Sequence, residues 1–471
     1  MIFNGFPFLL GFLPLALGGF AVCGRIGTGW AKIWLIAVSL VFYAAGAAAF
    51  LPLLIVSVGG NFVLLRMMHL SDRAGQWAAV GVGLNLAVLG WCKYLAPDPL
   101  PPLGLSFFTF TQIGCLLYHA GGDTAPPRLR DYALFAAFFP ALLAGPILNP
   151  REMLPQFART DGWGLTSDNL AVGSGFFLIG LLKKTLLADP LSTVVATGFA
   201  DPGQLGLFPA WQAATSYSLM LYFDFSGYTD MAIGLAWMVG LRFPDNFDQP
   251  YRATSVIAYW QQWHMSLTRF LMTHVHAPLT LAILRWRKRR GRGIDSQAQR
   301  MPGGFGVMIA MPIVVTMMLV ALWHGATWPF LLFGLLHAGF LAVNHAWRVT
   351  GAPVLPKLAS AALTYGCVLI GAVLFRATSV ADAASVLAGM AGMHGGGIVQ
   401  FDPHGIAHVA WLLALYLIVW FAPTTRQWMQ PEPAVRLGWS ASPRWAVAMG
   451  CAAALGVLAA GGTGEFLYFR F

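Results

Sequence analysis

Three polar clusters interrupt an otherwise apolar chain, and each holds residue types that can do chemistry. The first runs from Leu322 to Ala326 and contains Trp323 and His324, with His337 and His345 beyond it. The second, Trp260 to Leu267, contains Trp260, Gln261, Gln262, Trp263 and His264. The third, Tyr222 to Asp230, places two carboxylates, Asp224 and Asp230, in an apolar segment. A buried neutral imidazole can take the proton of a hydroxyl as that hydroxyl attacks an acyl carbon. Burial lowers a histidine pKa and keeps the ring unprotonated for that task. A dry site also limits wasteful hydrolysis.

Each cluster has a plainer reading beside the chemical one. His324 taken alone fits a packed ring bonded to a carbonyl first, and beside that an ionisable group held in a membrane for function. Asp224 and Asp230 fit caps or hydrogen-bonding struts, or the walls of a cavity. His264 fits an anchor for an interfacial helix or a second site residue. His337 lies mid-segment, so it needs a specific partner, whereas His345 stands close to Arg348 at a polar end. No HxxxH or HExxH pattern accompanies these histidines, so no metal site is expected. No Gly-rich phosphate loop and no GxSxG elbow is present.

The elements that must position these residues are membrane helices. Hydrophobic residues make up 58% of the 471 and charged residues only 10%, against roughly 25% charged in a soluble domain. The fold class is therefore all-α and polytopic, with about eleven to thirteen transmembrane or re-entrant helices by the ~20-residue spanning criterion. One integral-membrane domain over residues 1–471 is expected. The run from Phe305 to Trp347 has no Lys, Arg, Asp or Glu over 43 residues. It is long enough to cross twice and should reverse between Gly325 and Pro329, which places His324 at a turn between two membrane helices. Leu105 to Tyr118 and Leu134 to Leu148 are short for a crossing and read as re-entrant or interfacial. Val256 to Ala277, dense in aromatic and polar residues, reads as an interfacial helix. Pro97, Pro99, Pro101 and Pro102 form a stiff connector, and Gly389 to Pro403 a Gly-rich loop.

The net charge is +10, from 28 basic and 18 acidic residues. Six basic residues fall within Arg285 to Arg292, the strongest topology signal in the chain. They place a basic loop, about 278–304, in the cytoplasm. That loop is a plain stop-transfer anchor or a docking place for an acidic carrier protein or anionic lipid heads. No soluble module is present to carry nucleic-acid binding, so that class is excluded. The five cysteines are scattered, with no CxxC pair, and read as small buried hydrophobes. The apolar N-terminus lacks a basic n-region and reads as a first span.

Short motifs in a fixed order carry a family resemblance. They are Pro102–Phe110, Leu143–Pro146, Gly180–Lys184 with Ala188-Asp189, Leu221–Ala232, Asn246-Phe247 with Pro250-Tyr251, Trp260–Leu267, Leu322–Ala326, Phe375–Ala377 and the terminal Tyr468–Phe471. Across nearly its whole length the chain resembles the membrane-bound O-acyltransferase superfamily. Within it, the chain is similar to the bacterial alginate O-acetyltransferase branch, related to the D-alanyl transferase of teichoic acid. Two departures stand out. Gln261 and Gln262 occupy positions where the family often has Arg, and the segment after Leu267 lacks the family's usual charged run.

The resemblance implies an enzyme of O-acyl transfer in the bacterial inner (cytoplasmic) membrane, with His324 matching the catalytic histidine. An acyl thioester on coenzyme A or a carrier protein would be the donor substrate, with no bound cofactor. The acyl group, an acetyl in this branch, would move from the cytoplasmic side toward an exported polysaccharide or a periplasmic acceptor protein. His264 is the second catalytic candidate. His337, Asp224, Asp230, Trp260, Trp263, Trp323 and Asn246 would line or shape the substrate tunnel. A transporter without chemistry and a scaffold for a periplasmic transferase are the other two classes compatible with the composition.

Overall fold

Apolar runs of about twenty residues become helices because every backbone N–H and C=O must be satisfied internally where no water is present. The computed structural model describes residues 1–96, 102–122, 125–161, 163–396, 403–430, 438–460 and 466–467. The connector at Pro97, Pro99 and Pro101, the terminal Tyr468–Phe471 and residues 397–402 of the Gly-rich stretch lie outside them. Among the described residues there is no strand, only an isolated antiparallel bridge between Phe247 and Trp263.

The elements needed below are α1 (Thr28–Ala47), α2 (Leu51–Leu70), α3 (Leu129–Ala137), α4 (Ser167–Leu182), α5 (Leu207–Met238), α6 (Val256–Gln262), α7 (Met265–Leu271), α8 (Met311–His324), α9 (Trp328–Thr350) and α10 (Lys357–Arg376). Seven helical stretches among the described residues are long and apolar enough to cross a membrane, and three shorter apolar helices accompany them. One of the seven, Thr28–Leu70, is two 20-residue helices, α1 and α2, joined by a short 3-10 turn. The chain is an all-α polytopic membrane protein. The larger number of segments suggested by apolar runs includes ones that the fold shortens. Leu105–Ala120 is a 16-residue helix with Phe107 to Leu116 buried throughout. The 134–148 stretch breaks into α3 and the single turn Phe139–Leu142, where Pro140 can only begin a helix.

Two compact units result: Met1–Leu186 with Asp224–Asn246 and Pro423–Arg470, and Leu187–Phe223 with Phe247–Ala422. In the first unit α4 and α5 touch backbone to backbone. Gly173 and Gly180 on α4 face Gly234 and Gly227 on α5, and a Cβ on any of the four would meet a carbonyl of the opposite helix. Small residues at this spacing let two helices approach closely in a membrane.

In the second unit the charge-free run folds as its length implied. The helix ending in α8 stops at His324 and α9 starts at Trp328, with Pro329 in its first turn, where a missing N–H costs nothing. The pair packs tightly where Gly334 of α9 meets Ala321 and the Met317 carbonyl of α8. Two expectations need correction. Residues 256–277 are not one helix: α6 and α7 are separated at His264, whose φ of 44° lies in the left-handed region and ends helical propagation. Nor is 278–304 mainly a loop. Ala277–Arg289 and Ser296–Arg300 are helical, the first built of good helix formers and the second capped by Asp295, whose carboxylate accepts from the Ala298 N–H.

Candidate active site

His324 is the last residue of α8 and is 7% exposed. Its position follows from the sequence around it: the apolar α8 carries it to the helix end, and Gly325 and Pro329 turn the chain back. Its imidazole is walled by aromatic rings. Trp323 lies 4.4 Å away between ring centres, and Phe375 from the end of α10 lies 4.6 Å away, edge-on. Phe330 and Phe333 of α9 complete the wall at 5.9 and 6.4 Å. Such a setting is apolar and of low dielectric, so a polar interaction made there is strong.

Phe333 carries the cluster on to His337, 4.6 Å away and one turn further along α9. His337 is 1% exposed and has the specific partner that its mid-segment position required. The Trp260 indole N–H donates to His337 Nδ1 across 3.3 Å. An indole nitrogen only donates, so Nδ1 accepts and the ring's proton sits on Nε2. Gly371 of α10 lies directly against that ring, and a Cβ there would collide with His337 Nε2.

His264 joins the same neighbourhood through Trp323, 5.9 Å away. It is 2% exposed, and burial holds its pKa down at about 3, so it is neutral at ordinary pH. Its left-handed backbone is unusual for a residue with a side chain and costs free energy that the surrounding structure must offset. The turn is held by the Thr268 hydroxyl, which donates to the Trp260 carbonyl at 2.9 Å, and by Thr268 N–H to the His264 carbonyl at 3.0 Å.

The fold therefore brings His324, Trp323, His264, His337 and Trp260 together within the second unit. Trp263 belongs to an adjoining aromatic stack, nearly parallel to Tyr259 and Tyr251 at 5.7 and 6.3 Å, and Tyr259 meets Trp260 edge-on at 5.8 Å. Asp224, Asp230 and Asn246 belong to the first unit. There Lys184 Nζ meets Asp224 at 2.6 Å with both side chains 2% exposed, and Lys183 Nζ meets Asp230 at 2.6 Å. Thr425 donates to Asp230 and the Leu467 N–H donates to Asp224. Asn246 donates to the Thr229 hydroxyl at 3.4 Å. The strut reading of the two carboxylates is thus the one their partners support. Sequence reasoning missed Phe330, Phe333 and Gly371 around the histidines, and it did not pair Lys183 and Lys184 with the aspartates. The signal for the lysines was the Gly spacing in α4 and α5, which sets those two helices in contact.

The membrane-bound O-acyltransferase family model matches residues 119–292. That stretch includes Asp224, Asp230, Asn246 and the Trp260–His264 segment and stops before Trp323. Over 444 residues the chain is 31% identical to a peptidoglycan O-acetyltransferase of Helicobacter pylori, covering 84% of this chain and 80% of that protein. The chain belongs to the membrane-bound O-acyltransferase family. A probable alginate O-acetylase of Azotobacter vinelandii is 34% identical over 407 residues, 81% of this chain and 76% of the relative. A teichoic acid D-alanyltransferase of Streptococcus thermophilus is 25% identical over 250 residues, 52% of this chain and 57% of the relative. The membrane-bound O-acyltransferase fold here thus carries an O-acyltransferase, and the transporter and scaffold readings give way to an enzyme.

Proposed function

We propose that this O-acyltransferase moves an acetyl group from a thioester to a hydroxyl of an exported polysaccharide or of peptidoglycan, with His324 as general base. The carrying observation is the place of His324: a buried imidazole at a membrane-helix end, enclosed by aromatic rings, with two further buried histidines beside it. The imidazole takes the proton of the acceptor hydroxyl as the oxygen attacks the acyl carbon. The tetrahedral intermediate collapses with cleavage of the C–S bond, and the imidazolium returns its proton to the leaving thiolate. Ester and thiol are the products, and the ring is neutral again. The aromatic wall keeps water from competing with the acceptor. His264 and His337 orient groups around the reacting centre, and Trp323 and Trp260 hold them.

The donor is acetyl-coenzyme A or an acetylated carrier protein arriving from the cytoplasm of a bacterium, and the protein sits in the inner membrane. The basic segment Arg285–Arg292 supports that orientation by the positive-inside rule. It also offers a docking place for an acidic carrier. Arg287 is turned inward, donating from Nε and Nη2 to the Gly293 carbonyl, while its basic neighbours are exposed. The relatives named for peptidoglycan and alginate support an exported acceptor.

The test is thiol release by the purified protein in nanodiscs, with acetyl-coenzyme A and a soluble sugar acceptor. Release that requires His324 supports the reading. Undiminished release by a well-folded His324→Ala protein overturns the assignment of the base.

A further inference from the structure

Within the first unit, α1, α2 and α3 enclose a crevice of about 580 Å³ that plays no part in the chemistry above. Its walls are apolar, with Ile36 and Leu40 from α1, Leu54 and Val58 from α2 and Ala133 from α3. Two arginines, Arg128 and Arg130, also line it. They mark the end nearest the start of α1, because an Arg130 Nη1 lies 2.8 Å from where a Cβ on Gly29 would stand. Ile36 and Leu40 follow about 10 and 16 Å further along that helix, at ~1.5 Å per residue. Since α1 and α2 form a candidate span, the crevice runs from a charged mouth at the span's end into its apolar body.

Among the described residues the charge at the mouth has no carboxylate partner. The nearest acidic side chain in sequence, Asp131, is taken by Lys32 in a buried pair at 2.9 Å. Among the described residues neither Arg128 nor Arg130 is paired with a carboxylate, and the Arg130 Nε is buried with no hydrogen-bond partner. Both arginines stand at the N-terminal end of α3, where the helix dipole adds further positive potential. A guanidinium fork matches a phosphate in paired hydrogen bonds.

We propose that this crevice binds one anionic phospholipid, its phosphate held by Arg128 and Arg130 and one acyl chain lying along Ile36, Leu40, Leu54 and Val58. A membrane protein meets such a ligand at all times. The pairing of a positive mouth with an apolar body selects it over a zwitterionic lipid, whose own cation would face the arginines, and over a free phosphate, which leaves the body empty.

The test titrates the full-length protein with phosphatidylglycerol and with phosphatidylcholine of identical chains, read by native mass spectrometry, with inorganic phosphate as competitor. Retention of phosphatidylglycerol at about tenfold lower lipid concentration is expected, equivalent to ~1.4 kcal/mol. The Arg128→Gln/Arg130→Gln protein should lose that preference. Gly59→Phe should weaken both lipids alike, since Gly59 lines the crevice and a Cβ there meets no protein atom within 4 Å, which leaves room for a large side chain to compete with the acyl chain. Equal retention of the two lipids by the wild type overturns the proposal, as does a preference that survives loss of both arginines. Displacement by phosphate at matching concentration, or a Gly59→Phe protein that binds as well as wild type, would do so too.

Discussion

The Trp260 indole N–H donates to His337 Nδ1 across 3.3 Å and so fixes the tautomer of a buried histidine two ring contacts from His324. The bond ties the interrupted segment α6 to the membrane helix α9, and it needs an acceptor at that position. His337→Gln, which keeps an acceptor, should retain more acyl transfer than His337→Leu. Trp260→Phe, which removes the donor and keeps the ring, should fall between wild type and His337→Leu. Thiol release by the purified variants decides the order, and equal activity in all three would show that the bond has no part in catalysis.

The opposite side of the same ring makes a second prediction. Gly371→Ala places a methyl group against His337 Nε2 with no free space to accept it. Overpacking of this kind costs ~1–3 kcal/mol. A lower melting temperature together with reduced turnover is expected. Gly366→Ala on the same helix, where a Cβ meets nothing, should leave both unchanged.

Loss of the proposed general base should separate chemistry from folding. His324→Ala removes a ring whose neighbours are aromatic side chains that hold one another, Phe330 and Phe333 each contacting Phe375. Turnover should fall by about 10²–10⁴-fold with a melting temperature close to wild type. His324→Gln should be as inactive, because an amide cannot accept and return a proton.

Lys184 and Asp224 should behave as a unit. Removing one partner of a buried ion pair leaves the other charge buried without that counter-ion, at a cost of ~3–5 kcal/mol. Asp224→Leu and Lys184→Met should each lower the melting temperature strongly, and the double variant should be more stable than either single one. Additive losses in thermal unfolding would mean that the two side chains do not act through each other.

His264 sets a pH dependence of stability. Its pKa is held at about 3 in the folded chain against 6.5 when exposed. Between these values the unfolded chain binds a proton that the folded chain does not. Its contribution is intact above pH 6.5 and is lost as the pH falls toward 3, with a slope of up to ~1.4 kcal/mol per unit. Melting curves from pH 7.5 to 4.5 should fall less steeply for His264→Gln than for wild type. His264→Gly should tolerate the left-handed backbone better than His264→Ala does.

The membrane class, the helical content and the reversal that leaves His324 at a helix end were legible because they depend on local quantities. Apolar length, the missing charges from Phe305 to Trp347 and the break at Gly325 and Pro329 are properties of contiguous sequence. Ordered motifs carried the family for the same reason. What surrounds His324 and His337 was not legible, since Phe375 reaches His324 from α10 and Trp260 reaches His337 from α6, and no local pattern states which side chains meet across helices. The same holds for Asp224 and Asp230. Their apolar surroundings left struts and cavity walls both open, and the Gly contacts of α4 and α5 set them against Lys184 and Lys183. A buried charge reveals that it needs a partner, and only the packing of two helices, decided by backbone approach at glycine, says which residue that partner is.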